Sequence, residues 1–538
     1  MGSLNKGAAK SGLIASVVLV LGSYGLIGFT GSESLPCGGF SWIGGDQYNL
    51  LAEGLARGQL NLPVDPPPEL LALDNPYDPV ANEGLRLHDA VLYNGKYFSY
   101  FGITPALVFF LPLRLAGFVN APTGFAVLLF GAVGFASAVM LLLFFLKQRG
   151  CTPGKGSLFL AVLALGFCNT ELFLLRRPSF YEVAISCGYA FLLLGVYLLV
   201  TGIHSDRPSW WRLGTGSLCL ALAVGGRPHL VFAGPLLAAV FLSVVSDCWA
   251  AGPRRVGWAT LVVLGPYISY GLFLAAYNYL RFGSPTDFGW RYLLAGDEMT
   301  KCPRGIDLMP NGMYLHFCHL FKLDTGFPFI HFQSQLPVRL PEGLRFEVMC
   351  GALVDNPILW LFPVLPFVLA AGLRRSSAES GARTSSLTRL HAAILVMLPM
   401  TGLTLILVCA YLGLFTMRYQ MDYGTLFLLP TLVAWFYCLE ELQENRWRRP
   451  VLVVGTSLLV AGCAINVGLG LAAYDDGAQF RYYWIPRLIA VAGLGLVASL
   501  IGLLPYRAWV PTRAWREARD LRLPRGNDMP RECSDHTA

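Results

Sequence analysis

Charged and aromatic side chains gather at alternate ends of the apolar runs in this sequence. Asp46 follows the first run in "GGDQYNLLAEGLARGQLNL" (44–62), and His88 and Asp89 lie further along the same polar stretch. "ELFLLRRPSFYE" carries Glu171, Arg176, Arg177, Tyr181 and Glu182, and "GGRPH" carries Arg227 and His229. "RFGSPTDFGWRYLLAGDE" carries Arg281, Asp287, Trp290, Arg291 and Tyr292, while "RYQMD" adds Arg418 and Asp422. A carboxylate can take the proton of a weak nucleophile, and a guanidinium binds two oxygens of one phosphate. Each residue also has a plain structural role: Asp46 as a helix N-cap, arginines at headgroups, Tyr and Trp in an aromatic belt. The set as a whole, with arginines recurring beside acids and aromatics, is what an anionic ligand at one membrane face explains.

The chain of 538 residues is 55% hydrophobic and 14% charged, with a mean hydropathy of +0.54. Soluble domains carry nearer a quarter charged residues, and apolar runs of about 20 residues recur here, so this is an all-α polytopic membrane protein. The net charge of +7 does not indicate a nucleic-acid partner, because the basic residues sit in short loops between spans, the positive-inside pattern. Thirteen cysteines show no CxxC or zinc-finger spacing. Cys302 and Cys318 either pair in an oxidising compartment or remain thiols. "HFCHLF" places His316 and His319 three apart, with His331 beyond, a weak metal signal without a third ligand in register. A divalent metal ion is therefore left open.

About twelve spans follow: Ser11–Thr30, Ala121–Phe145, Gly156–Leu175, Phe180–Thr201, Leu213–Gly225, Leu230–Val245, Val256–Leu280, Pro357–Leu373, Ala392–Phe415, Leu426–Leu439, Val451–Ala473 and Ile485–Leu504. Phe101–Val119 is apolar too, but counting it as a span reverses the positive-inside pattern of every later loop. It also holds Pro105, Pro112 and Arg114, and reads as an interfacial or re-entrant helix on the outer face. Both termini are then cytoplasmic and residues 31–120 form one large external loop. Within it, "GGDQYNLLAEGLARGQLNL" (44–62) predicts an amphipathic helix after Asp46, with Tyr48, Leu51, Leu55 and Leu62 on one stripe. The proline-rich centre predicts an extended connector, and "HDAVLYNGKYFSYFG" predicts a hairpin about Asn94-Gly95. A second external loop covers 281–356, a polar cytoplasmic linker 374–389 precedes the helices of 390–510, and a basic tail occupies 511–538.

An acid soon after the first span, a large first external loop with surface helices, and polar turns at later outer ends resemble the GT-C glycosyltransferases. That group includes the protein O-mannosyltransferases and the bacterial aminoarabinose transferases. The resemblance covers roughly residues 11–350 and makes residues 1–373 a GT-C-like catalytic module. "HDAVLYNGKYFSYFGITPAL" is similar to the segment entering that group's second surface helix, without its His-Pro-Pro. "RRPSFYEVAI" is similar to the turn that often bears a second acid, and Gln47 stands where the mannosyltransferases double the first acid. The resemblance implies a polyprenyl-phosphate sugar donor in the membrane and a glycan, lipid or protein acceptor presenting a hydroxyl or amine. It implies catalytic roles for Asp46 and Glu182, with Asp89 the further candidate acid, while the arginines recurring at outer turns make Arg177, Arg227, His229 and Arg291 the candidate donor-phosphate contacts. Sugar or acceptor contacts fall to Tyr181, Trp290, Tyr292, Arg418 and Asp422. The setting it implies is a bacterial plasma membrane with the site outside. A lipid-linked saccharide flippase or transporter is the competing reading, and it would need polar groups at the bilayer midplane.

Overall fold

The computed structural model describes residues 2–30, 47–203, 208–341, 344, 346–379 and 382–474. Asp46, the expected span Ile485–Leu504 and the tail lie outside the described residues. Helices of ten residues or more are α1 (Gly2–Thr30), α2 (Gln47–Ala56), α3 (Thr123–Gln148), α4 (Lys155–Phe167), α5 (Phe180–Ile203), α6 (Trp210–Gly226), α7 (Gly234–Trp249), α8 (Pro253–Phe282), α9 (Met309–Cys318), α10 (Leu365–Glu379), α11 (Ala382–Tyr411), α12 (Gln420–Glu441) and α13 (Arg448–Ala472). The strands are two short antiparallel hairpins, β1 (Ala90–Tyr93) with β2 (Lys96–Ser99) and β3 (Phe321–Leu323) with β4 (Ile330–Phe332). The architecture is thus an all-α membrane bundle with small hairpins in its two long loops.

Ten helical segments among the described residues are long and apolar enough to cross a membrane. Ten of the expected spans fall on them. An eleventh, Leu213–Gly225, falls on α6, which has 17 residues and a rise of about 26 Å. Its place in the bundle comes from close packing on α5. A Cβ added at Gly216 would press on Leu199 Cγ at 2.9 Å and the Gly195 carbonyl at 3.1 Å. Small residues at that crossing let two backbones approach, the usual way transmembrane helices associate. The stretch 374–389, expected as a linker, is helical in its described residues, continuing α10 and opening α11.

The apolar stretch 101–119 folds as one π-helical turn, Ala106–Phe110, continued by the α-turn Leu111–Leu115. Ten helical residues rise about 15 Å, half the roughly 30 Å hydrocarbon core, so this segment does not cross. The ends of its neighbours agree. At the C-terminal end of α3, Arg149 Nη2 meets Glu441 Oε1 at the C-terminal end of α12 (2.5 Å), and Tyr437 Oη donates to the Phe145 carbonyl. The helices α3 and α12 therefore run parallel, and both begin at the end where the hairpin lies. Asn49 of α2 exchanges two 2.9 Å hydrogen bonds with the backbone of Ala121 at that same end.

The hairpin β1–β2 turns on Asn94 (φ 49°) and Gly95 (φ 70°), with Tyr93 opposite Lys96, as the Asn-Gly signal predicts. Tyr48, Leu51 and Ala52 of α2 are buried in the main core and Leu55 packs against it. Leu62 N–H donates to Tyr97 O at 2.8 Å, tying the proline-rich connector to β2. The second external loop joins the same hairpin, since Leu294 N–H donates to Ala90 O and Asp89 N–H to Leu294 O, both at 2.9 Å.

Val80 and Val119 are 80% and 66% exposed. Introduced cysteines at these two positions, read above the native thiols, are expected to react with a membrane-impermeant reagent from one and the same side. Labelling from opposite sides would make 101–119 a crossing segment.

Candidate functional site

The site is built around the first turn of α12. A 3-10 turn, Met417–Tyr419, leads into the helix, so Arg418 and Asp422 stand on its N-terminal turns. Asp422, buried with a fully covered side chain, accepts from Arg227 Nη2 at 2.7 Å, and the same oxygen lies 3.0 Å from His229 Nε2. Arg227 follows the Gly225-Gly226 end of α6, and Pro228 opens the 3-10 turn that carries His229. Gly102, just after the hairpin, lies so close to the carbonyls of Gly225 and Gly226 that a Cβ there would collide with both. The first external loop is thereby pressed onto the Arg227 turn. Tyr419 lies beneath Arg227, its ring centroid 4.8 Å from the guanidinium carbon.

Arg418 points to a second group. Its Nη2 is 3.0 Å from Glu347 Oε1 and its Nη1 is 3.6 Å from Glu182 Oε1, while its guanidinium covers the Tyr181 ring at 4.5 Å. Glu347, in the second external loop, also accepts from Thr416 Oγ1 at 2.8 Å. Glu182 has a double role. It is the third residue of α5, and its Oε2 accepts from Ser179 N–H at 3.1 Å and from the Ser179 hydroxyl, the backward half of a capping box. The other oxygen faces Arg418. Arg177 stacks on Tyr474, 3.8 Å from the ring centroid, and Tyr474 lies within the fields of Arg418, Glu182 and Glu347.

Asp89 enters from the hairpin side. It is 6% exposed and holds φ 55°, a left-handed conformation that Asp tolerates better than most residues. Burial raises its carboxyl above the ordinary range, opposed by His88 (3.5 Å away), Arg418 and Arg86. Gln47, the residue after Asp46, is buried and donates from Nε2 to the carbonyl of His88 at 3.0 Å. Tyr100 is the common neighbour, reached by the fields of Tyr419, Arg227 and Asp89, and burial raises its hydroxyl pKa.

Arg281, at the last turn of α8, differs from the other arginines. It is 6% exposed, donates to Ser99 O (2.8 Å) and Asn278 Oδ1 (2.7 Å), and lies 3.9 Å from the Tyr277 ring centroid. Among the described residues it forms no ion pair, and Asp287, whose field reaches it, accepts at Oδ1 from Gly289 N–H. Its Nε, the Tyr277 hydroxyl and the Ser99 hydroxyl are buried without an acceptor. So is Trp290 Nε1, whose ring lies 5.8 Å from that of Tyr100. Buried donors normally find acceptors and a buried charge normally finds a counter-charge, so this corner departs from the usual pairing.

Several expected residues therefore converge: Asp89, Arg177, Tyr181, Glu182, Arg227, His229, Arg418 and Asp422. Trp290 borders the group through Tyr100. Tyr292 instead joins an aromatic cluster with Tyr77, Tyr93 and Phe282 on the hairpin, and Arg291 is exposed. His316, His319 and His331 do not meet as ligands. His316 Nδ1 faces Tyr423 Oη at 2.9 Å, and burial pushes that imidazole down to about 3. His319 Nε2 faces the Gln333 carbonyl at 3.1 Å, and His331 Nε2 the Gly326 carbonyl at 3.2 Å. Among the described residues no group of three or more His, Cys, Asp or Glu is placed to hold a metal ion. Cys302 and Cys318 are free thiols. The sequence reading passed over Glu347, Tyr419, Tyr100, Tyr474 and a role for Arg281. Tyr419 adjoins Arg418 and Tyr100 adjoins the hairpin, so proximity was a signal for those two. Glu347 offered none, because its partner is 71 residues away.

No protein-family model matches the chain, and no curated protein matches it. Among solved structures, the chain is similar to the Archaeoglobus fulgidus oligosaccharyltransferase tethered to an acceptor peptide containing the NVT sequon. The identity is 13% over 93% of this chain and 57% of the other, with a TM-score of 0.38. It is also similar to ArnT from Cupriavidus metallidurans bound to undecaprenyl phosphate, at 12% identity over 92% of this chain and 71% of the other, with a TM-score of 0.40. The chain thus spans a little over half the length of the first. At these identities and TM-scores neither likeness assigns a family, an activity or a residue role to this chain.

Replacing Asp422 by Asn leaves Arg227 buried without its counter-charge and is expected to cost about 3–5 kcal/mol. Pairing it with Arg227→Met should restore most of the loss. Thermal denaturation in detergent checks both, and a single Asp422→Asn variant as stable as wild type would mean the pair contributes no clamp.

Proposed function

We propose that the protein is a membrane glycosyltransferase that moves a sugar from a polyprenyl-phosphate donor to an acceptor hydroxyl or amine. The observation that carries this reading is the donor-lined guanidinium of Arg281, without an ion pair among the described residues and hydrogen-bonded to Ser99, next in the chain to the Tyr100 that the fields of Asp89 and Arg227 reach. Arg227 is neutralised by Asp422 and Arg418 by two glutamates, so neither offers a free charge to a ligand. The phosphate site accordingly centres on Arg281, with Arg177 on the rim, rather than on Arg227 and His229. On the positive-inside pattern of the basic residues, the reading sets this end outside a plasma membrane with both termini cytoplasmic.

In the transfer, the acceptor oxygen or nitrogen attacks the anomeric carbon as the carbon–oxygen bond to phosphate breaks. Phosphate leaves with the bonding pair, and guanidinium and hydroxyl donors stabilise its growing charge. The acceptor's proton passes to a carboxylate. Asp46 is the base that the sequence resemblance implies. Asp89 is the second candidate, since a buried carboxyl with a raised pKa accepts a proton more readily near neutrality. Glu182 fits a supporting role, holding Arg418 while capping α5.

Binding of undecaprenyl phosphate to the purified full-length protein tests the donor site. Arg281→Ala should weaken binding about 10–100-fold, as expected for loss of charged hydrogen bonds worth about 1.5–3 kcal/mol. Arg291→Ala should leave it unchanged. Equal affinity in wild type and Arg281→Ala, with both folded, would overturn the assignment.

The base is tested by Asp46→Asn and Asp89→Asn. The substitution at the true base should reduce turnover about a hundredfold or more while donor binding and melting temperature persist. Full turnover in both variants would sink the general-base scheme.

A further inference from the structure

One buried carboxyl beside the site has no part in the scheme above. Asp355, fully enclosed at the end of the short helix Ala352–Asp355, accepts from Gln420 Nε2 at both oxygens, 2.9 Å at Oδ1 and 2.7 Å at Oδ2. Its Oδ1 also accepts from Asn356 Nδ2 at 2.8 Å, and its backbone carbonyl from Asn466 Nδ2 of α13 at 2.8 Å. Among the described residues no cation pairs with it. The titratable groups around it are Cys350 of its own loop, Cys168 after α4 and Tyr423 of α12, with Cys463 of α13 against Cys168. By their ordinary values these thiols and this phenol are uncharged at pH 7. Desolvation raises the Asp355 carboxyl to about 7.

Gln420 is the first residue of α12, one after Tyr419 and two from both Arg418 and Asp422. The amide nitrogen of Gln420 is held by Asp355, and its Oε1 is buried with no partner. All three side-chain contacts of Asp355 are acceptor contacts, so they suit the carboxylate. A protonated carboxyl must donate its O–H, and two side-chain carbonyls beside it lack a partner, those of Asn356 and Gln420; the Gln420 carbonyl, the one carried by α12, reaches it if its amide turns over.

We propose that Asp355 is a positioning residue. Through Gln420 it sets how the start of α12 presents Arg418, Tyr419 and Asp422, and gain of a proton at Asp355 exchanges one hydrogen-bond arrangement of that helix start for another. The inference rests on reading the α12 end as part of the transfer site. Its structural half is measurable without any transfer.

The effect on stability has a fixed sign. A carboxyl whose folded pKa lies above its ordinary value of about 3.9 binds more protons folded than unfolded between the two values, so its contribution to stability falls as pH rises from about 4 to about 7. Asp355→Asn cannot titrate and should lack that fall.

The experiment follows hydrogen exchange of residues 417–423 in the full-length protein, corrected for the intrinsic pH dependence of exchange, together with the pH profile of transfer at limiting donor. In wild type both should change with a midpoint near 7. Both changes should vanish in Asp355→Asn. In Gln420→Met, which keeps the carboxyl but breaks its link to α12, the helix start should no longer follow the titration. A midpoint retained in Asp355→Asn, or no change of protection near 7 in wild type, overturns the inference. Absence of transfer in wild type beside a normal exchange transition would count against the transferase reading and leave the positioning role standing.

Discussion

The start of α12 is the constraint on which the rest of the site depends. Six consecutive residues there are each engaged by residues distant in sequence, Tyr419 and Asp422 by the same Arg227. Arg418 meets Glu347 and Glu182, Tyr419 lies under Arg227, and Gln420 holds Asp355. Met421 Sδ faces the Thr170 hydroxyl at 3.6 Å, Asp422 clamps Arg227 and His229, and Tyr423 faces His316. Helical geometry sends successive side chains about 100° apart, so one short turn reaches elements on every side. Shifting that turn by one residue would unpair several buried charges at once, each expensive in a low-dielectric interior. The position of α12 is therefore set by electrostatics at its tip as much as by the apolar packing along its length.

Two kinds of arginine follow from this arrangement. Arg227 and Arg418 are neutralised within the protein and act as structural members that hold helices in register. Among the described residues Arg281 forms no ion pair, and three further donors beside it lack acceptors. On the proposed reading a ligand bearing negative charge meets the second kind and would have to displace a carboxylate at the first. The distinction separates scaffold from binding group where burial alone does not, since Arg281 and Arg418 are 6% and 7% exposed.

The first external loop is also organised by close approach. Gly102 has no room for a Cβ because the loop lies on the end of α6, and Arg281 donates to Ser99 O across the same junction. Leu294 pairs with Ala90, so both large loops converge on one hairpin. The tips of α6, α8 and α12 then act as a single floor beneath them.

Much of this was legible from local sequence. Runs of apolar residues fix the transmembrane helices, Asn94-Gly95 fixes the hairpin, and two prolines in a stretch too weakly placed to cross mark 101–119 as interfacial. The gathering of acids, arginines and aromatics at one end was legible as well, because charge at helix ends survives in the sequence as composition. Which carboxylate meets which arginine was not. Glu347 and Arg418, Arg227 and Asp422, and Asp355 and Gln420 lie 71, 195 and 65 residues apart. No local pattern encodes those pairings, for they depend on how helices pack and on which charges that packing strips of water. Local propensity and hydropathy therefore determined the elements and the face they share, while tertiary burial decided which charged groups are neutralised and which, like Arg281, are buried without an ion pair among the described residues.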